Sequence, residues 1–343
     1  MESDSFEPSS ERGPRALERV RLAALHSFRS ACARVSLRGA SLVPLRATHQ
    51  LAGWLARPLI QIPGRARDSM LTNLALCFPE LDEAARAELA RESLAEALRA
   101  MLELGPLWCW GRERVLSLVQ EVVGEDRLEA ALATGRGVVF LGPHLGSWEL
   151  AGLYVSARLS ITSLYRPPRV RKLEGLYRHA RERFGARLVP ADAGGVRELY
   201  RALQRGEAIG VLPDQAPGRH GGIFAPFFGL MAKTSTLAAR LITSTGAVPL
   251  FGWAERLERG SGFRLHFFEP ELGPSGGQDD VERVTCALNS ELERLIRRRP
   301  QQYLWSYQRF KQRPEGEPNP YRRDRARAAG SAQPTHATSS EAP

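Results

Sequence analysis

Apolar positions change their period along the chain. Up to about residue 122 they recur at helical spacing, and beyond it short continuous apolar runs alternate with helical stretches. Leu17, Val20, Ala24, Leu25, Phe28, Ala31 and Val35 fall close to one helical stripe, with Arg19, Arg21, Arg29 and Arg34 between them. Pro44, Pro58 and Pro63 interrupt the apolar stretch that follows. Residues 82–104, rich in Ala, Leu, Glu and Arg, predict a long helix capped by Asp82, and 112–122 predict another. Strands are then expected at 137–141, 160–165, 187–189, 208–212, 247–253 and 262–268. The helices between and after them are expected at 147–155, 171–184, 194–205, 234–243 and 280–298. Such alternation predicts an α/β fold, a mixed, largely parallel sheet flanked by helices, with helices added at the N-terminus.

Composition narrows this frame. The chain has 343 residues with 43% hydrophobic and 25% charged positions, which suits a packed globular protein. Residues 1–16 read as a disordered lead, 17–67 as a basic amphipathic segment, 68–314 as the main domain and 315–343 as a disordered tail. The formal net charge is +10. Residues 12–67 alone hold eleven Arg and one acid, Glu18. Two roles fit that segment: lying in a membrane interface with Arg heads on lipid phosphates, or packing on the main domain. The longest stretch free of Asp, Glu, Lys and Arg is 241–254, shorter than the roughly 18–20 residues of a spanning helix. Four scattered cysteines give neither a zinc spacing nor a disulfide framework, so no metal or other cofactor is expected. Signatures of nucleic-acid-binding folds are absent, and nucleic acid is not expected as a partner.

Four motifs remain as candidate chemistry. GPHLGSWE, 142–149, follows the first strand and places His144 five residues before Glu149. Mid-helix these two would point about 140° apart. With His144 in the loop and Glu149 on the first helical turn they can meet as a base and the carboxylate that orients it. No G-x-S-x-G elbow supplies a nucleophile, so the substrate would bring its own hydroxyl. YRPPRVRK, 165–172, opens a stretch to residue 187 with eight basic and two acidic residues, suited to an anion. LPDQAPGRHGGIFAPFFG, 212–229, carries Asp214 and Gln215 directly off a strand, where ligands of α/β sheets gather. Phe224, Phe227 and Phe228 there either line an apolar slot or pack in the core. QQYLWSYQRFKQRP, 301–314, alternates aromatic and basic residues, as a last edge strand or as a basic rim of the site.

Taken in order, GPHLGSWE, YRP, LPDQ with FAPFFG, and QYLW with RFKQRP resemble the late acyltransferases of lipid A biosynthesis, the lauroyl/myristoyl family. The likeness runs from NLALCFPEL, 73–81, to Pro314. It implies a glycerolipid-acyltransferase-like αβ sandwich that moves an acyl chain from acyl carrier protein to a hydroxyl of a lipid A precursor. The place it implies is the cytoplasmic side of the cell inner membrane. His144 is then the general base oriented by Glu149. Arg166, Arg181, Asp214 and Gln215 are expected to bind substrate, with Arg178 and Arg183 as rivals of Arg181. Members usually carry an N-terminal spanning helix, whereas Arg46 and Arg57 interrupt the corresponding region here, so peripheral docking is expected. Another lipid acceptor, such as a glycolipid or an ornithine lipid, and a non-catalytic membrane-binding role stay open.

Overall fold

The computed structural model describes residues 12–168, 170–218, 221–273 and 280–322, with side chains from Ser27 onward. The lead up to residue 11, the tail from 323 and the side chains of the stripe residues Leu17 to Leu25, with those of Arg19 and Arg21, therefore lie outside what is described. The helices are α1 (Arg12–Leu42), α2 (Leu45–Leu59), α3 (Arg65–Cys77), α4 (Glu83–Cys109), α5 (Arg112–Leu116), α6 (Glu125–Ala133), α7 (Trp148–Ser156), α8 (Glu174–Glu182), α9 (Ala193–Gln204), α10 (Leu237–Thr245) and α11 (Asp280–Arg298). The strands are β1 (Val119–Val123), β2 (Val138–Leu141), β3 (Ile161–Tyr165), β4 (Arg187–Pro190), β5 (Ala208–Val211), β6 (Ile223–Phe227), β7 (Leu230–Thr234), β8 (Val248–Arg256) and β9 (Phe263–Phe268).

Seven of these strands form one sheet in the order β1-β9-β8-β2-β5-β3-β4. Every neighbouring pair is parallel except β8 with β9. All four residues of β2 are buried. Val139 and Leu141 enter the core under α9, α10 and α11, while Val138 and Phe140 enter the core under α6 and α7. That two-sided burial explains why β2 reads as a continuous apolar run instead of an alternating one. The mostly parallel α/β architecture with N-terminal helices is the expected fold.

Three local expectations change. The predicted helix 112–122 stops at Leu116, and Val119–Val123 instead pairs with β9. Residues 223–234 form the hairpin β6–β7, in which Phe227 and Phe228 are core residues. Residues 301–314 are irregular, joined to the sheet side by one bridge between Tyr303 and Leu145.

The N-terminal helices pack through α4. Gly105 lets α1 approach closely, since a Cβ there would lie 2.6 Å from Ala40 Cβ. Helix α2 buries Leu45, Thr48, His49, Ala52 and Ala56, one helical face. A neighbouring face exposes Leu51, Trp54, Leu55 and Leu59, again at helical spacing. Along α1, Phe28, Val35 and Leu42 are exposed at intervals of seven residues. Arg29, Arg34, Arg38, Arg46 and Arg57 are exposed around these apolar positions. The segment thus packs on the main domain by one side and leaves a second apolar side open. Among the described residues no helix is long and apolar enough to cross a membrane.

A buried ionic knot fixes α2 and α4 to the sheet. Glu103 meets His49 Nε2 at 2.7 Å and accepts from Arg256 Nε at 2.7 Å and Nη2 at 2.9 Å. Burial alone would raise the Glu103 carboxyl, but the Arg256 charge and these hydrogen bonds outweigh it and hold it down to about 2.

Candidate active site

The carboxyl ends of β2 and β5 lie side by side, and each launches a loop with a titratable side chain. After β2, Gly142 N donates to Val211 O (3.0 Å) and ties the His144 loop to β5. Gly146 sits at φ +60°, where a side chain would be strained and would collide with the Ala254 carbonyl. The loop is then pinned from the far end of the chain: Gly146 N donates to Gln302 O (3.0 Å), and Leu304 N donates to His144 O (3.1 Å). Helix α7 starts only at Trp148, so His144 stays in the loop.

The carboxylate bonded to the imidazole is Asp214. His144 Nδ1 lies 2.9 Å from Asp214 Oδ1, and the backbone N–H of His144 donates to Oδ2 at 3.0 Å. On the other side of the ring, Gln215 Nε2 is 3.2 Å from His144 Nε2. The amide is a donor, which makes Nε2 the acceptor and Nδ1 the protonated nitrogen. Asp214 is buried, 2% exposed, while the His144 side chain keeps 12% of its surface open. Burial would raise the Asp214 carboxyl, and the His144 charge and hydrogen bonds outweigh it, so it is held below its ordinary value.

Glu149, the partner expected for His144, is engaged elsewhere. It pairs with Arg181 through two hydrogen bonds, one from Nε at 3.2 Å, and accepts from Trp108 Nε1 at 3.3 Å. The reason is placement: Glu149 is the second residue of α7, on the side facing α4 and α8, whereas Asp214 leaves the strand next to β2. Sequence spacing favoured the nearer acid, and sheet order supplies the other one.

The structure therefore brings His144, Asp214 and Gln215 together and sets Glu149 with Arg181 in a second pair close by. Arg166 is exposed just beyond β3 and makes no hydrogen bond or ion pair among the described residues. Arg178 pairs with Glu182, and Arg183 donates to the Trp110 and Leu107 carbonyls, so neither rival replaces Arg181. Arg169, Arg219 and His220 lie outside the described residues.

Two further side chains stand behind Asp214, and sequence reasoning had flagged only the motif that holds them. The buried Tyr303 phenol faces Asp214; burial and the Asp214 charge push it well above its ordinary value. Arg309 is 2% exposed and donates to Lys233 O (2.6 Å) and Thr234 Oγ1 (2.7 Å), anchoring 301–314 to β7. Among the described residues no group of three His, Cys, Asp or Glu is placed to hold a metal ion.

Among the described residues the side chains hydrogen-bonded to the His144 ring are Asp214 and Gln215, neither a Ser nor a Cys. Comparison with known proteins identifies the scaffold. Residues 28–312 match the family model described as bacterial lipid A biosynthesis acyltransferase. The chain belongs to this family. It is 33% identical over 270 residues to the lipid A biosynthesis palmitoleoyltransferase of Escherichia coli (strain K12), covering 78% of this chain and 85% of that one. The lauroyltransferase of the same organism is 28% identical over 81% of this chain and 90% of its own length. The myristoyltransferase is 28% identical over 84% and 88%. The chain is thus a lipid A acyltransferase, and its membership implies an acyl donor and a lipid A precursor as acceptor.

Proposed function

We propose that this acyltransferase moves a fatty acyl chain from an acyl-carrier-protein thioester to a hydroxyl of a lipid A precursor, with His144 as general base. The observation that carries the reading is the orientation of the imidazole, Nδ1 on Asp214 and Nε2 facing the exposed Gln215 amide. An acceptor hydroxyl displaces that amide and gives its proton to Nε2. Its oxygen forms a bond to the thioester carbonyl carbon. As the C–S bond breaks, the thiolate leaves and takes the proton from the imidazolium, so the base is restored. Asp214 holds the tautomer and steadies the imidazolium. Glu149 acts through Arg181, keeping that guanidinium at the start of α7 beside the reacting groups, and Gln215 holds the base until substrate arrives. The cations Arg166 and Arg181 lie on the strand-end side where an anionic acceptor approaches.

The enzyme works at the cytoplasmic face of the inner membrane as a peripheral protein. The open apolar side of α1 and α2, with Trp54 74% and Leu42 85% exposed, enters the interface, and the surrounding Arg side chains meet lipid phosphates.

Purified protein incubated with a panel of acyl-carrier-protein thioesters and lipid acceptors tests the reaction by product mass. The expected product is a lipid A precursor heavier by one acyl group. His144→Ala is expected to lower the rate by about 10²–10⁴-fold while the protein stays folded. Full transfer by that variant, or a product on a glycolipid or ornithine lipid instead, would sink the reading.

A further inference from the structure

The carboxyl edge of the sheet continues past the catalytic pair to β3 and β4, and a second cavity opens there. Its volume is about 260 Å³, and Tyr165, Arg166, Pro167, Glu174, Arg178, Pro190, Ala191 and Asp192 line it. Three of its polar groups are unspent among the described residues. The Tyr165 hydroxyl is buried, on a residue only 5% exposed, and has no hydrogen-bond partner. Neither the Arg166 nor the Glu174 side chain makes a hydrogen bond or ion pair among the described residues. By contrast Arg178 is tied to Glu182, and Asp192 caps α9 through Gly195 N. A buried phenol without a partner carries a desolvation cost. A ligand that hydrogen-bonds it removes that cost.

We propose that this cavity is a subsite for the phosphorylated sugar headgroup of the acceptor, with Arg166 on the phosphate and Tyr165 and Glu174 on ring hydroxyls. The assignment rests on the transfer reaction proposed above and names where that acceptor's headgroup sits. Four observations select this chemistry. The guanidinium at the open mouth suits a phosphate, whose oxygens it can bind bidentately. The phenol and the carboxylate inside are the complement of sugar hydroxyls, which both donate and accept. Pro167, Pro190 and Ala191 provide a flat apolar wall for a ring. The volume lies below the roughly 300–1,000 Å³ of a complete small-ligand pocket, so it takes one headgroup and no acyl chain.

Position agrees with this. His144 and Asp214 stand on β2 and β5, and the cavity stands on β3 and β4, so the two sites are two strand spacings apart, about 10 Å. A single acceptor can place its headgroup in the cavity and a nearby chain hydroxyl at His144 Nε2. Arg181, paired with Glu149, is close enough for its charge to act on the Tyr165 hydroxyl.

The test uses the full chain and has two arms. In the first, NMR titration follows glucosamine 1-phosphate, with N-acetylglucosamine and inorganic phosphate as comparisons. The phosphosugar is expected to bind at least about tenfold more tightly than either part alone. Tyr165→Phe and Arg166→Ala are each expected to weaken it about tenfold, while His144→Ala binds as wild type. In the second arm, steady-state rates are measured with donor and acceptor varied in turn. Tyr165→Phe, Arg166→Ala and Glu174→Gln are expected to raise KM for the acceptor about tenfold, with KM for the donor unchanged. Equal binding by wild type and Arg166→Ala, or a rise confined to the donor KM, would overturn the assignment; the latter would give the cavity to the carrier protein's phosphate arm. Because the titration needs no turnover, phosphosugar binding in a chain that transfers no acyl group would leave the subsite standing and remove the proposed reaction.

Discussion

Among the described residues three histidine–carboxylate pairs of nearly the same length occur, His49–Glu103, His144–Asp214 and His266–Glu255, and the first two make the sharpest comparison. His49–Glu103 is 2.7 Å long and His144–Asp214 is 2.9 Å long. Around Glu103, Arg256 adds two hydrogen bonds, so the carboxylate is neutralised by a guanidinium that never leaves it. Among the described residues no guanidinium is hydrogen-bonded to Asp214; its oxygens go to the ring and backbone of His144, with the Tyr303 phenol and the more distant Arg309 charge behind it. The solvent side differs as well. The His49 side chain is 4% exposed, and His144, at 12%, turns its second nitrogen toward an exposed amide that a substrate can displace. On the proposed mechanism, a carboxylate beside a histidine serves a base when no guanidinium is bonded to it and the far nitrogen can be reached.

Exchanging the carboxylates should break the comparison in opposite ways. Glu103→Gln leaves the buried Arg256 with only the longer contact to Glu96, at 3.4 Å, as counter-charge and is expected to destabilise the protein by about 3 kcal/mol. Urea unfolding checks this, and the specific activity of the folded fraction should remain near that of wild type. Asp214→Asn is expected to leave stability within about 1 kcal/mol and to cut kcat about 100-fold, because an amide can hold the wrong tautomer and cannot steady an imidazolium. A normal kcat in the Asp214→Asn variant would remove Asp214 from the mechanism.

Acid should separate the pairs next. The Glu103 carboxyl is held at about 2 in the folded protein, below its ordinary 4.5. Its contribution to stability is therefore complete above about 4.5 and is lost as pH falls through about 2. Unfolding midpoints measured across that window should fall steeply in wild type and less steeply in Glu103→Gln; parallel curves would contradict the knot's role. The smallest effect is expected at the displaceable amide. Gln215→Ala should change kcat by only a few-fold, since the substrate hydroxyl takes its place at Nε2. A loss as large as that of Asp214→Asn would make Gln215 part of the reacting set.

Much of this architecture was legible as pattern. The apolar run of β2 and the cap at Asp82, which accepts from Ala85 N at 2.7 Å, are local signals that survive folding unchanged. What escaped was decided by distant partners. Val119–Val123 continues a helical pattern until pairing with β9 makes it a strand. The β6–β7 hairpin turns at Phe228 and Gly229, both with positive φ, 51° and 74°. Asn or Gly would announce such a turn, and Phe does not. Core packing against Phe78 and Trp305, and a hydrogen bond from Phe228 N to Glu293 (2.7 Å), hold it there instead. The site divided in the same manner. His144 and Asp214 stood out because each leaves a strand, but the bond between them depends on β2 and β5 being neighbours. Tyr303, Arg309 and the role of Tyr321 depend on where the chain returns. Tyr321, past the expected end of the domain, donates to Asn73 Oδ1 and accepts from Phe310 N.

The pinning of the His144 loop by Gln302 and Leu304 has a consequence for the life of the chain. These are hydrogen bonds across about 160 residues, from near the middle of the sequence to its last folded turns. During synthesis the sheet strands β2, β3, β4 and β5 emerge well before the segment that closes over them. Until that segment leaves the ribosome, the His144 carbonyl and the Gly146 amide lack these two partners. The His144 loop therefore takes up its pinned conformation only once residues 302–304 have been made, about 160 residues after the loop itself.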